Sequence, residues 1–156
     1  MRAVKLAISI LICQLAGYAG SIFTKTSVDT WYRAIEKPFF TPPSWLFAPV
    51  WIFLYFMMGV SLFLVWDNGL ENPQAKKAVS VFLLQLMINS SWSAVFFGMR
   101  DLALSVMTIL LLWLAIIWTL AIFLRISKTA AFLLIPYLFW VSFAAVLNVS
   151  IFLLNP

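Results

Sequence analysis

Five long apolar runs, separated by short polar segments, are the feature that most constrains the fold of this chain. They cover about residues 4–23, 45–66, 78–98, 102–124 and 130–154. Each run reaches the roughly 20 residues that a helix needs to cross a hydrocarbon core. None has a charged residue near its middle, where Lys, Arg or Asp would cost about 2.5 to 3.5 kcal/mol. The runs therefore predict five membrane-spanning helices.

The composition points to the same lipid environment. Of 156 residues, 65% are hydrophobic and 10% are charged, whereas a soluble domain is about half apolar and a quarter charged. Lipid offers no partner for backbone N–H and C=O groups, so only helices or a closed barrel can span it. The runs lack the alternation of barrel strands. The sequence predicts an all-α membrane protein, with residues 1–156 forming a single five-helix transmembrane domain.

The first run has a second interpretation as a secretory signal peptide, because basic residues precede it and small residues lie near its end. The run is long for the apolar part of such a peptide. Gln14, Tyr18 and Ser21 also fall on one helical face, which favours a helix packed inside a bundle. We therefore expect this run to be the first span.

The basic residues are dispersed over short loops, so the net charge of +5 does not indicate a nucleic-acid partner. Six Lys and Arg residues lie on the side of the N-terminus and the second and fourth loops, and four lie on the other side. This difference weakly favours an N-terminus on the inner side of the membrane. The single cysteine excludes an intramolecular disulfide.

The first loop, about residues 24–44, is long enough to have structure of its own. Its sequence WYRAIEKPFFTPP is too aromatic for a disordered segment. Its prolines favour extended geometry, and Pro42 and Pro43 are tolerated where the second helix begins. We expect the loop to fold back as a lid over one end of the bundle. Trp31 and Tyr32 are equally consistent with an aromatic belt at the membrane interface.

The third run divides into two faces at 100° per residue. Asn89, Trp92 and Phe96 share one face. The other face carries small residues spaced by four, which let another helix approach closely: Ser90, Ala94 and Gly98. This ridge fits the interface of a homodimer, and it fits a contact with another helix of the same chain equally well.

The second and fifth runs have similar aromatic faces, and the fifth also carries the amide of Asn148. Amides inside a membrane are costly unless they face the bundle interior. We therefore expect Trp51, Trp92 and Trp140 to converge on a common interior. Aromatic faces with a few polar groups suit a flat, largely apolar ligand. Ordinary core packing, with amides that bridge helices, is the alternative.

Several classes of chemistry lack the residues they need. The chain has no histidine, and its five acidic residues lie in or beside loops, so His-based metal sites are excluded and a buried proton relay is disfavoured. No base is available to activate a serine. We expect no cofactor, and a channel or transporter would need charge rings or broken-helix repeats. These exclusions leave a binding protein.

Three stretches resemble the translocator protein family, also called the peripheral benzodiazepine receptor or tryptophan-rich sensory protein family. The first is WY, KP and TPP in the first loop, followed by PVW and LY in the second run. The second is Asn89, Trp92 and the sequence FFGMR. The third is PY, Trp140, FA and LN in the fifth run. The resemblance covers nearly the whole chain.

This resemblance implies a five-helix bundle, usually a homodimer, that binds porphyrins such as protoporphyrin IX beneath the first loop. It also implies that Trp31 and Trp140 could take part in a light- and oxygen-dependent breakdown of porphyrin. A structural membrane subunit without a ligand is a further alternative. By position, the resemblance assigns the pocket to Tyr32, Phe47, Ala48, Trp51, Asn89, Trp92, Leu111, Trp140, Ala144 and Leu147.

Two departures from the family's animal members limit what the resemblance implies. The Tyr and Arg of a proposed cholesterol motif are absent after Asn148, which puts steroid transport in doubt. Leu104 stands where the animal proteins have a tryptophan, which would enlarge the pocket. Both departures favour a prokaryotic member in a plasma or outer membrane, surrounded by lipid.

Overall fold

A computed structural model describes residues 1–156 and contains five helices that are long and apolar enough to cross a membrane. We call them the first to fifth spans, in chain order: Arg2–Ser27, Ser44–Trp66, Pro73–Met99, Leu102–Leu124 and Lys128–Leu154. The remaining helix is the single turn Trp31–Ala34 in the first loop. The prediction of an all-α protein with five spans is confirmed.

Two spans depart from a regular α-helix. The third span is an α-helix over Pro73–Ser93 that ends in a π-helical turn over Ala94–Met99. The fifth span consists of Lys128–Leu133 and Ile135–Leu154. Pro136 lies in the first turn of this second part, where its missing N–H leaves a carbonyl of the preceding turn without its helical partner.

The spans form a closed ring. The first span packs on the second and third, the fifth packs on the second and fourth, and the fourth packs on the third. Going around the ring, the order is first, second, fifth, fourth and third. Each span therefore presents one side to a shared interior and one side to lipid.

The first span packs through small residues rather than through its predicted polar face. Ser9, Cys13 and Gly20 are fully buried, whereas Tyr18, which the sequence placed on the packed face, is 61% exposed. Small side chains allow the close helix approach that drives association in lipid. The first run packs in the bundle, as expected. The side of the helix that is packed is not the side that the sequence predicted.

Gln14 is the one member of that predicted polar face that reaches a neighbouring helix. Its side-chain Nε2 donates to the backbone carbonyl of Ile52 in the second span at 3.0 Å. Ser21 instead donates to the carbonyl of Tyr18, within its own helix. The Gln14 bond is therefore a polar link between the first two spans.

The small-residue ridge of the third span is occupied by the first span of the same chain. Ser90 Oγ donates to the carbonyl of Ala16 at 3.0 Å. A Cβ at Gly98 would lie 2.9 Å from the ring of Phe23. The sequence allowed Ser90, Ala94 and Gly98 to contact either a second copy of the chain or another helix of the same chain. For Ser90 and Gly98, the structure shows the contact within the chain. The homodimer stays a prediction, and this ridge does not support it.

Gly59 lies where the backbones of the first two spans approach each other closely. A Cβ at this position would lie 2.6 Å from the Cα atom of Ile10. We expect Gly59→Ala to lower the thermal midpoint in detergent, although Ala is the better helix former, because backbone must move to admit the methyl group. Gly98→Ala is the control, since its neighbour is the movable ring of Phe23. Equal midpoints for Gly59→Ala and the wild type would contradict this packing.

Candidate ligand-binding site

The first loop is organised around the ammonium group of Lys37. Its Nζ donates to the carbonyls of Tyr32 at 2.7 Å and Ile35 at 2.8 Å, and it contacts that of Arg33 at 3.4 Å. These carbonyls lie at the end of the short helix Trp31–Ala34, where helical partners are lacking. The same ammonium lies 5.0 Å from the Tyr32 ring centroid. The Lys37 side chain therefore holds the loop in a compact turn.

Aromatic residues of this loop pack onto the end of the bundle. The ring of Trp31 lies edge-on to Phe96, with centroids 5.5 Å apart. Phe40 makes a similar contact with Phe143 at 6.3 Å. Tyr32 is 6% exposed, and this burial raises the pKa of its phenol. Trp31 and Tyr32 therefore belong to a cluster at the end of the bundle, and the phenol stays protonated at neutral pH.

The three tryptophans that the sequence assigned to the interior do face other aromatic residues there. Trp51 stacks on Tyr55, with centroids 5.4 Å apart and planes inclined by 28°. Trp92 stacks on Phe96 at 5.3 Å. Trp140 lies edge-on to Phe47 at 6.0 Å. These rings fill the interior, so a planar ligand would have to displace some of them.

A buried hydrogen-bond network lies beside Trp51 and joins three spans. Asn89 Oδ1 accepts from the hydroxyl of Tyr55, and Asn89 Nδ2 donates to the hydroxyl of Tyr137 at 2.8 Å. Tyr137 in turn donates to Gln85 Oε1 at 2.8 Å. Because the second, third and fifth spans each contribute a group, this network fixes their relative positions.

A second network lies on the other side of Trp92. The indole Nε1 of Trp92 donates to Asn148 Oδ1 at 2.8 Å. Asn148 Nδ2 donates to Ser105 Oγ at 2.9 Å. This chain connects the third, fifth and fourth spans. Asn89 and Asn148 therefore both face the interior and have partners, as the cost of an amide in lipid requires.

Two N–H donors in the interior have no partner in the protein. One is the indole Nε1 of Trp140, and the other is the amide Nε2 of Gln85, whose side chain is 1% exposed. A buried donor without an acceptor is unfavourable by about 1 to 3 kcal/mol. The interior can therefore gain stability from a guest that brings hydrogen-bond acceptors.

The structure brings most of the predicted pocket residues together, with two exceptions. Leu111 is 55% exposed and lies on the outer surface of the fourth span, and Ala48 is also exposed. The assignments of Leu111 and Ala48 to the pocket therefore lack structural support. The remaining residues belong to the two adjoining hydrophobic clusters of the interior or bond within it: Tyr32, Phe47, Trp51, Asn89, Trp92, Trp140, Ala144 and Leu147.

Sequence reasoning missed two members of the interior networks: Gln85, which accepts from the Tyr137 hydroxyl, and Ser105, which accepts from the Asn148 amide. Gln85 precedes Asn89 by four residues and therefore shares its helical face, a signal that was available in the sequence. Ser105 gave no such signal, because it is an isolated polar residue in an apolar run. Its role depends on which helix packs opposite.

Two apolar grooves lie on the outer surface of the bundle, away from the predicted pocket tryptophans. One, of about 500 Å³, runs between the first and third spans past Ala16 and Ser90. The other, of about 270 Å³, lies between the fourth and fifth spans beside Trp113. Neither is lined by a predicted pocket tryptophan, so the convergent polar and aromatic groups of the interior define the candidate site.

Known proteins match this chain over nearly its full length. The profile of the TspO/MBR family matches residues 9–154. The tryptophan-rich protein TspO of Archaeoglobus fulgidus is 46% identical over 155 residues, which is 99% of both chains. Its namesake from Chlorobaculum tepidum is 45% identical over 97% of this chain and 96% of its own. The human translocator protein is 35% identical over 86% of this chain and 80% of its own.

The chain belongs to the TspO/MBR family. Membership confirms the resemblance drawn from the three sequence stretches. With its five apolar helices, it also identifies the chain as an integral, multi-pass membrane protein. The archaeal and bacterial relatives are consistent with a prokaryotic source. Within this TspO/MBR chain, the signature residues Asn89, Trp92 and Asn148 are the ones that carry the interior networks.

The second network can be tested by replacing its central amide. We expect Asn148→Leu to lower the free energy of unfolding by roughly 1–2 kcal/mol, because it leaves the Trp92 indole N–H unpaired in the interior. Denaturant titration in detergent micelles measures this change. The indole N–H proton resonance of Trp92 should also move upfield.

Ser150→Ala is the control for this prediction. Ser150 lies in the same helix, and its Oγ donates at 2.8 Å to the carbonyl of Val146 in that helix. We expect the control to leave both the unfolding free energy and the Trp92 resonance unchanged. If Asn148→Leu behaves like the control, the Trp92–Asn148 hydrogen bond does not support the bundle.

Proposed function

We propose that this protein is a membrane sensor or carrier that binds a flat, largely apolar ligand of the porphyrin class, such as protoporphyrin IX. The site is the interior beneath the first loop, between Trp51, Trp92 and Trp140. The names of two relatives, a tryptophan-rich sensory protein and a translocator protein, describe sensing and translocation for those proteins. Binding is the step that a sensor and a carrier share.

The unpartnered indole N–H of Trp140 is the observation that carries this proposal. The indole ring lies among the rings of Phe47 and Phe143, with centroid distances of 6.0 and 5.7 Å. A planar ligand among these rings would gain aromatic contact area. An acceptor on its edge would also satisfy the Trp140 donor, which ordinary core packing leaves unpaired.

The distribution of charge predicts how an acidic ligand would be oriented. The middles of the spans hold no cation that could pair with a carboxylate, and a lone charge in a membrane interior is unfavourable. Lys37 and Arg33 lie in the first loop, whose aromatic residues pack on this end of the bundle. We therefore place the carboxylate edge of a porphyrin toward the loop and its apolar edge toward Trp51.

Titration with protoporphyrin IX tests the proposal directly. We expect the wild-type protein in detergent to bind protoporphyrin IX saturably, and this binding should shift the porphyrin absorption band. Trp140→Phe keeps an aromatic ring but removes the N–H donor. It should weaken binding by roughly 2- to 10-fold, the equivalent of one lost hydrogen bond. Porphyrin absorbance is the appropriate signal because removing a tryptophan does not alter it directly.

Trp118→Phe is the matched control, because Trp118 is 48% exposed on the outer surface of the bundle. The titrations are made in the dark, so that any light-dependent loss of porphyrin is kept apart from binding. Saturable binding that both variants retain with equal affinity would place the ligand elsewhere. A wild type that produces no saturable shift would favour a structural subunit without a porphyrin ligand.

A further inference from the structure

Asn155, just past the end of the fifth span, forms a paired contact with the middle of the first loop. Its Oδ1 accepts from the backbone N–H of Glu36 at 3.0 Å, and its Nδ2 donates to the Glu36 carbonyl at 2.9 Å. The same Nδ2 also donates to the carbonyl of Ile151 at 2.8 Å, which anchors the amide on its own helix. The side chain thus joins the loop directly to the fifth span.

The geometry of this contact makes it specific. One side-chain amide satisfies both backbone groups of Glu36, as a neighbouring residue does in an antiparallel sheet. A side chain that only donates or only accepts cannot form both bonds. Because both bonds go to backbone, the identity of the loop side chain at Glu36 does not matter for the contact.

Glu36 lies between two aromatic contacts that the first loop makes with the bundle. On one side of it, Tyr32 is packed on Phe97, with ring centroids 5.6 Å apart. On the other side, Phe40 is packed on Phe143. The Glu36 side chain itself is exposed. The Asn155 contact therefore attaches the part of the loop that lies between these two aromatic contacts.

We propose that Asn155 is a positioning residue that holds the first loop closed over the interior and sets how fast a ligand enters and leaves. The part that concerns the ligand rests on the function proposed above. Both hydrogen bonds lie near the surface, where water can replace them. The loop can therefore open while the buried networks around Asn89 and Asn148 stay intact.

Backbone hydrogen exchange tests the closing role without any ligand. In detergent micelles, we expect Asn155→Ala to accelerate exchange of the Glu36 amide and its neighbours in residues 35–41 by about tenfold, the equivalent of one to two lost hydrogen bonds. Exchange in the middles of the spans should not change. That difference separates opening of the loop from a general loss of stability.

Asn68→Ala is the matched control. Asn68 lies just past the end of the second span and its Nδ2 donates to the carbonyl of Leu64 at 2.8 Å, as Asn155 does to Ile151. It makes no hydrogen bond to the first loop. We expect this variant to leave loop exchange at the wild-type rate. Asn155→Asp, which keeps the acceptor for the Glu36 N–H but loses the donor, should give an intermediate rate.

Stopped-flow mixing with protoporphyrin IX tests the second part of the proposal. Asn155→Ala should raise both the association and the dissociation rate constants severalfold, with a smaller change in Kd, because it changes the barrier more than the bound contacts. A variant that merely damaged the pocket would instead raise Kd with little change in the association rate.

The outcomes separate this inference from the proposed function. Loop exchange at the wild-type rate in Asn155→Ala would overturn the closing role. Faster loop exchange with unchanged porphyrin rates would overturn the control of ligand entry. If the wild type does not bind protoporphyrin IX, the proposed function and the ligand part of this inference fail together. The hydrogen-exchange result still decides whether Asn155 closes the loop.

Discussion

The need of each buried amide for a partner in lipid is the constraint on which the rest of this structure depends. Helices in a bilayer gain little from burying apolar side chains, since lipid is equally apolar, so packing and interhelical hydrogen bonds hold them together. Asn89 and Asn148 supply such bonds, and between them they connect the second to fifth spans. The same bonds fix the orientation of Tyr137 and Trp92. The groups that hold the bundle together therefore also shape the candidate site.

The first span is held by close packing together with side-chain hydrogen bonds to backbone carbonyls. Gly59 brings it against the second span, and Ser90 and Gly98 bring it against the third. This division leaves the strongest polar restraints in the middle of the bundle and aromatic contacts at the end under the first loop. Trp92 packs against the hydrophobic clusters of both regions. It therefore marks the boundary between the part held by hydrogen bonds and the part that an entering ligand would have to rearrange.

Sequence reasoning recovered the features that depend on local periodicity and lost those that depend on which helix lies opposite. The five spans follow from hydropathy, and the inward direction of Asn89, Trp92 and Trp140 follows from helical spacing. Regular spacing could not foresee the π-helical turn over Ala94–Met99. It also could not choose between a partner chain and the first span for the ridge. Leu111 was assigned by resemblance alone, and the structure places it on the exposed face of its helix. The Asn155 contact joins residues 119 positions apart, and no local pattern encodes it.

A filled aromatic interior has consequences for how a sensor of this kind would work. A ligand must replace ring contacts such as Phe47–Trp140 with contacts of its own. Its affinity therefore reflects the difference in free energy between the ligand-free and ligand-bound packing. Because Tyr32, Trp31 and Phe40 pack on the same aromatic cluster from the loop side, a change in that cluster also changes what the loop rests on. If a ligand occupies the interior, we therefore expect the position of the loop to change with it. A partner could detect the bound state at the membrane surface without contacting the ligand, and a carrier would need the same movement for release.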